Sequence, residues 1–232
     1  MTPLALALDN ALTTATELPG GGHEIADPYA VQREVVDLRL ARGETRVGVK
    51  LGLTSKAKMR QMGVDSVIWG WLTDAMRIED GGVLDLGPRI HPKAEPEVAF
   101  LVRDGAIAAV APALEVIDSR WLDFKFTLDE VIADNTSAAG FVVGPWQPVP
   151  PAVDDLGVRL LVDGEVVESG STAAILGDPR AAFAEALRLA GTLEDDWIVL
   201  AGAATAAVLV GPGQTVRVEV AGLGSASLKA SS

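Results

Sequence analysis

Residues 94–102 read Ala-Glu-Pro-Glu-Val-Ala-Phe-Leu-Val, an apolar run that carries two carboxylates one residue apart. Short, breaker-bounded and rich in β-branched and aromatic residues, it reads as a strand. Alternate side chains on a strand share a face. Glu95 and Glu97 therefore lie with Ala99 and Leu101, and Ala94, Pro96, Val98, Phe100 and Val102 lie opposite. Neither face is polar, so a strand buried on both sides has to accommodate two acids. Glu115, in Pro-Ala-Leu-Glu-Val-Ile-Asp, repeats the pattern between Ala113 and Ile117. An ionised carboxylate left alone in such surroundings is very costly. Each of the three must be protonated, paired with a cation, or bound to a metal. Three carboxylates from two neighbouring strands would make an all-oxygen site suited to Mg²⁺ or Mn²⁺. Pairing of each Glu with Lys or Arg, or a place at a strand end in solvent, is the competing reading.

Around this run the punctuation predicts helices and further strands. Asp27 as N-cap, Pro28 at the first helical position and Gly43 as the stop bracket one helix, and Asp178, Pro179 and Gly191 bracket another. A third is expected between Thr54 or Ser55 and Gly63. Asp163-Gly164 inside Val-Arg-Leu-Leu-Val-Asp-Gly-Glu-Val-Val marks a hairpin, and 196–202 and 214–230 supply more strands. The order, helices first and then a strand-rich body with one inserted helix, points to an α+β fold with a mixed, rolled sheet. Residues 1–25 read as an N-terminal extension and 26–232 as a single domain.

Bulk properties narrow the function. The 232 residues carry 32 acidic against 19 Lys plus Arg side chains, a net charge of −13. This argues against nucleic acid and against an anionic membrane surface as partners. The absence of Cys removes disulfides, thiolate nucleophiles and Cys-ligated metals. The N-terminus has no basic segment ahead of its apolar patch, and no run approaches the roughly 20 apolar residues of a membrane span. A soluble, cytoplasmic protein is expected.

The ordered blocks VGVKLGLTSKAKMRQMGV, WGWLTDAM, IHPKAEPEVAFLV, ALEVIDSRW, VIADNTSAAGFVVG and VLAGAATAAVLVGPGQTV resemble the hydratase/decarboxylase branch of the fumarylacetoacetate hydrolase superfamily. The resemblance runs from about Ala26 to the C-terminal region. IHPKAEPEVAF and AGAATAA are more similar to the decarboxylases than to the hydratases. The resemblance implies a rolled β fold, a divalent cation (Mg²⁺ or Mn²⁺) on Glu95, Glu97 and Glu115, and a small 2-oxo acid substrate. It also implies a homo-oligomer, with a complex with a hydratase partner as a further option. It places the family's Lys on Lys50 and its Asp on Asp74. Lys50 is then expected to stabilise substrate charge or transfer a proton, or to serve as a structural partner of a glutamate. Asp74 is expected to orient Lys50 or a water, or to act as a cap.

His91, Asn135, Ser137 and Thr205 are candidate substrate contacts, set against a strand-end His, turn-forming residues and a tight-packing stretch. Arg120 and Lys125 are candidates to meet a carboxylate, or surface residues. The implied reaction is decarboxylation of 2-oxohex-3-enedioate to 2-hydroxypenta-2,4-dienoate through a metal-stabilised dienolate. The alternatives are hydration of the dienoate, or a catalytically idle member that keeps the metal site. The chain departs from the family in a nearly absent insertion between FLVRDG and PALEVID and a shorter N-terminal region. Such segments form part of the site's cover in the family, so closure over substrate is where this chain differs.

Overall fold

The computed structural model describes residues 1–55, 59–60 and 63–231. Two sheets pack face to face. The first has eight strands: β1 (Arg46–Gly52), β2 (Ile68–Thr73), β3 (Arg77–Ile78), β5 (Lys93–Arg103), β6 (Ala106–Ile117), β7 (Ala138–Val143), β10 (Ile198–Leu200) and β11 (Val208–Leu209). They are ordered β2-β1-β10-β5-β6-β7-β3, with β11 paired to β5. The second sheet runs β4 (Gly82–Leu84), β13 (Gly224–Ala230), β12 (Thr215–Val220), β8 (Gly157–Val162), β9 (Glu165–Ser171). Parallel pairs (β1–β10, β3–β7, β4–β13) mix with antiparallel ones. The expected α+β class with a rolled, mixed sheet is what the structure shows.

The two faces of β5 do different work. Val98, Phe100 and Val102 enter the core between the sheets, against Leu160, Val218 and Leu228 and against Phe183 of the helix Pro179–Ala190. The other face carries Ala99, which shares a small cluster with Ala113, Leu200, Leu72 of β2 and Phe141 of β7. Residues from nearly opposite ends of the strand order meet there, so the sheet curls into a half-barrel with this face inside. Ala99, Ala113 and Ala138 keep part of this lining small, because the inner face of a tight curl has little volume for side chains.

The expected helix signals hold. Asp27 caps α2 (Pro28–Ala41) through the Ala30 N–H at 2.9 Å, and Asp178 caps α4 (Pro179–Ala190) through the Arg180 N–H at 2.9 Å. The Asp163-Gly164 turn has φ of 51° and 86°, the left-handed pair that a two-residue hairpin favours. The helix expected between Thr54 and Gly63 lies largely outside the described residues. Two further helices were not expected, although Thr2-Pro3 and Thr127-x-x-Glu130 mark their starts. One is α1 (Pro3–Thr14), whose Ala5 and Leu8 pack against Val31, Val35 and Trp121. The other is α3 (Leu128–Ala133), only six residues long and fixed by a Thr127/Glu130 capping box.

β5 and β6 join through a two-residue turn at Asp104-Gly105. The turn lies seven residues beyond Glu97 on β5, roughly 23 Å away at strand rise. In this chain the hairpin tip is remote from the carboxylates.

Candidate metal centre and substrate cavity

Register brings the three acids together. Glu95 is directly opposite Glu115 in the β5–β6 ladder, and Glu97, two residues on, shares their face. One oxygen from each carboxylate lies within 4.8 Å of the others, and all three residues are buried. Pattern alone could not say whether these acids converge; register and curl make them do so.

Lys50 joins them from β1. Between β1 and β6 stand β10 and β5. Three strand spacings would put the two about 14 Å apart in a flat sheet. The curl closes that gap, and Lys50 Nζ sits 2.8 Å from Glu115 Oε1. Lys50 Nζ also donates to the Thr136 carbonyl at 2.9 Å.

Lys50 does not reach every buried oxygen of the set. The Gly202 N–H donates to Glu97 Oε2 at 2.8 Å, but among the described residues Glu97 Oε1 and Glu115 Oε2 are buried and receive no donor. Burial, then the neighbouring Glu115 and Glu95, push the Glu97 carboxyl well above its ordinary range despite Lys50. Glu115 is also raised by burial, against the opposing pull of Lys50. Buried carboxylate oxygens crowded this closely suit a hard dication, which takes carboxylate ligands and leaves positions for water or substrate. The residues present fit the metal that the resemblance implies.

A cavity of about 150 Å³ opens beside this cluster. Lys50, Glu95, Thr54, Thr136 and Ser137 give it a polar portion. The remaining lining is apolar and includes Phe124 and Ile117. The segment Asn135–Ser137 is held against the curl in an unusual conformation. All three residues have left-handed φ, at 48°, 53° and 57°. Such backbone is costly outside glycine and persists only where its surroundings fix it. Here Asn135 Oδ1 accepts from the Trp71 N–H at 2.8 Å and Nδ2 donates to the Trp71 carbonyl at 2.9 Å. Thr136 Oγ1 donates to the Trp69 carbonyl at 2.8 Å. Glycine at position 70 admits this approach, since a Cβ there would lie 2.6 Å from the Asn135 carbonyl oxygen. The result points the Thr136 carbonyl at Lys50 and leaves the buried Ser137 Oγ unpartnered on the cavity wall.

Other expected site residues fall elsewhere. Asp74 is exposed at the far end of β2, where its carboxylate accepts from the Thr45 N–H at 2.9 Å and the Thr45 hydroxyl at 2.7 Å. Those bonds hold it below its ordinary range. In the β1–β2 ladder Lys50 faces Gly70 while Asp74 follows Thr73, the partner of Arg46. It therefore belongs to a turn and does not touch Lys50; the expectation that it orients Lys50 is corrected, because the ladder register separates them.

Asn135 is a structural clamp with both amide atoms committed, and not a free substrate donor. His91 does not line the cavity. Its Nδ1 lies 3.0 Å from Glu17 Oε1 and its ring packs on Phe124 at 4.4 Å, so it supports a lining residue from behind. Thr205 bonds the adjacent Ala206 carbonyl, and Ala203 takes the place on the wall. Arg120 is buried against Asp134, whose carboxyl burial raises to about 6 even beside that guanidinium. Lys125 is exposed and pairs with Asp123. The lining residues Ile68, Phe124, Phe126 and Val131 carried no sequence signal of function, because apolar wall and apolar core look alike in composition.

A family model described as fumarylacetoacetate (FAA) hydrolase C-terminal matches residues 92–229. A 4-oxalocrotonate decarboxylase of Pseudomonas sp. is 48% identical over 219 residues, covering 88% of this chain and 86% of that protein. A 2-keto-4-pentenoate hydratase of Burkholderia vietnamiensis is 38% identical, covering 89% and 86%. The structure of 4-oxalocrotonate decarboxylase from Pseudomonas putida G7, complexed with magnesium and adipate, superposes with a TM-score of 0.90 at 38% identity, over 98% of this chain and 95% of that one. The chain belongs to the fumarylacetoacetate hydrolase family, in the branch that holds the 4-oxalocrotonate decarboxylases and 2-keto-4-pentenoate hydratases.

Proposed function

We propose that the protein decarboxylates 2-oxohex-3-enedioate to 2-hydroxypenta-2,4-dienoate. The observation that carries this reading is the buried Glu95/Glu97/Glu115 set with Lys50 beside it, at a cavity sized for a small acid. It is supported by the 4-oxalocrotonate decarboxylases at 38–48% identity. Glu95, Glu97 and Glu115 would hold Mg²⁺ or Mn²⁺, which when bound supplies a Lewis acid for the 2-oxo acid end of the substrate.

The chain's own groups do the rest. Lys50 lines the cavity, and its Nζ is aimed by Glu115 and the Thr136 carbonyl. It donates a hydrogen bond to the substrate's 2-oxo oxygen, where negative charge grows as CO₂ leaves. That bond is stronger in the transition state than in the ground state, which is the condition for catalysis. The same Nζ supplies the proton that the oxygen takes up. Ser137 Oγ, buried and without a partner, donates to the substrate's C1 carboxylate.

The test is direct. Purified protein with Mg²⁺ and 2-oxohex-3-enedioate is followed for CO₂ and for dienoate absorbance, with and without chelator. It is then given 2-hydroxypenta-2,4-dienoate and assayed for 4-hydroxy-2-oxopentanoate. Chelator-sensitive CO₂ release is the expected result. Hydration without CO₂ release would make the protein a hydratase, and neither activity with Mg²⁺ bound would make it a non-catalytic member.

A further inference from the structure

The cavity is chemically lopsided. Lys50, Glu95, Thr54, Thr136 and Ser137 supply its polar lining. Leu53, Ile68, Phe126 and Val131 also line it, and these four belong to one contiguous apolar cluster. Leu53 directly follows β1, Ile68 comes from β2, and Phe126 and Val131 come from α3 and the residues just before it. Three separate parts of the chain thus build a single hydrocarbon wall. None of those four side chains can hydrogen-bond to an anion.

A 2-oxo dicarboxylate anchored by its 2-oxo acid end at the acids and Lys50 extends its far carboxylate along the cavity. We propose that the Leu53–Ile68–Phe126–Val131 wall receives this carboxylate and, by withholding solvation from it, drives its loss as CO₂. The inference rests on the decarboxylase reading and adds the group responsible for selecting that reaction.

The electron balance is straightforward. The C5–C6 bond breaks and C6 departs as neutral CO₂. Its electron pair forms C4=C5, the C3=C4 pair moves to C2=C3, and the carbonyl pair moves to the C2 oxygen, which then takes one proton. Charge thus leaves the apolar wall and arrives beside Lys50. A carboxylate facing hydrocarbon is poorly solvated in the ground state, whereas CO₂ is not charged, so the wall favours the transition state over the substrate. Decarboxylation needs no acid or base at the departing group. Hydration needs one to activate water at the far alkene carbon, and these four side chains offer none.

The test pairs two unreactive probes with the same chelating end. Binding of 2-oxohexanoate, with a methyl at the far end, and of 2-oxoadipate, with a carboxylate there, is measured calorimetrically in the presence of Mg²⁺. The wild-type protein is expected to bind 2-oxohexanoate at least tenfold more tightly. Val131→Thr, which keeps shape and adds a hydroxyl, is expected to narrow that ratio at least threefold and to lower kcat for CO₂ release at least tenfold. Val131→Ala, which removes packing without adding polarity, is expected to lower kcat less than Thr does. Ile68→Thr serves the same purpose should Val131→Thr fail to fold.

Tighter binding of 2-oxoadipate by the wild-type protein would overturn the proposal, since a polar group would then serve the far carboxylate. So would a Thr variant with kcat and probe ratio within twofold of wild type. Wild-type protein that favours 2-oxohexanoate yet releases no CO₂ would sink the decarboxylase reading and leave the wall's preference standing.

Discussion

Glu95 and Glu115 are direct cross-strand partners in an antiparallel ladder, and both are buried on the inner face of the curl. Like charges placed opposite one another destabilise a sheet. With Glu97 on the same face, this fold concentrates three acids where a protein selected for stability alone would place alanine or valine. The arrangement makes sense as a site whose cost is offset by what it binds.

Glu97→Gln removes one of these charges and one metal ligand. The metal-free variant is expected to be more stable than wild type by about 1 kcal/mol, a rise of roughly 2–4 °C in Tm for a chain of this size. The gain in Tm on adding Mg²⁺ should shrink, and turnover should fall at least a hundredfold. Thermal melts with and without Mg²⁺, beside the CO₂ assay, read all three. Unchanged turnover would remove Glu97 from the centre.

Acid should stabilise the metal-free protein in this region. The Glu97 and Glu115 carboxyls hold protons more tightly when folded than at their ordinary value of 4.5. Raised folded values mean that the folded state keeps protons the unfolded chain has released. Their contribution is therefore most favourable below about pH 4.5 and declines as pH rises through the raised values. A dication replaces those protons, so the Mg²⁺-induced rise in Tm should grow between pH 5.5 and 8. A rise that is flat with pH would show that proton and metal do not compete for these groups.

Lys50→Met leaves Glu115 without its cation. Breaking a buried pair by removing one partner costs about 3–5 kcal/mol when the other stays charged. Protonation of Glu115 limits the loss, so the penalty should be smaller at pH 5 than at pH 8. CO₂ release should be lost at either pH, because no other described side chain reaches the same point. Denaturant titrations at both pH values give the comparison.

Asp74→Asn tests the opposite expectation. Asp74 serves the turn around Thr45 and not the cavity, so kcat and KM should stay within twofold of wild type. A large loss of kcat would return Asp74 to the chemistry.

Glu130 ties the N-terminal loop down. Its carboxylate accepts from the backbone N–H groups of Gly21, Gly22, His23 and Thr127 and contacts His23 Nδ1 at 2.7 Å. Burial works to raise this carboxyl, but the donors outweigh it and hold it at about 2. A depressed folded value gives stability that is present above about 4.5 and lost as pH falls toward 2. Glu130→Gln should therefore cost about 2 kcal/mol at pH 7 and much less near pH 2. Hydrogen exchange at Gly21–His23 should speed up in the variant at neutral pH.

Local devices and the residue types of the centre were legible in the amino-acid order alone. Asp27-Pro28, Asp178-Pro179 and Asp163-Gly164 act through their own backbone and near neighbours, so their effect is readable without the rest of the chain. Three acids in apolar company were legible because burying charge is too costly to occur without a partner. Tertiary structure decided how these groups meet. Curl carried Lys50 across two intervening strands to Glu115, ladder register kept Asp74 away, and the left-handed turn at 135–137 turned Asn135 into a clamp while placing Ser137 in the cavity lining. The apolar wall was invisible for the same reason: Ile68 and Val131 are far apart in the chain, and only packing shows whether a buried hydrocarbon side chain faces other side chains or an open cavity.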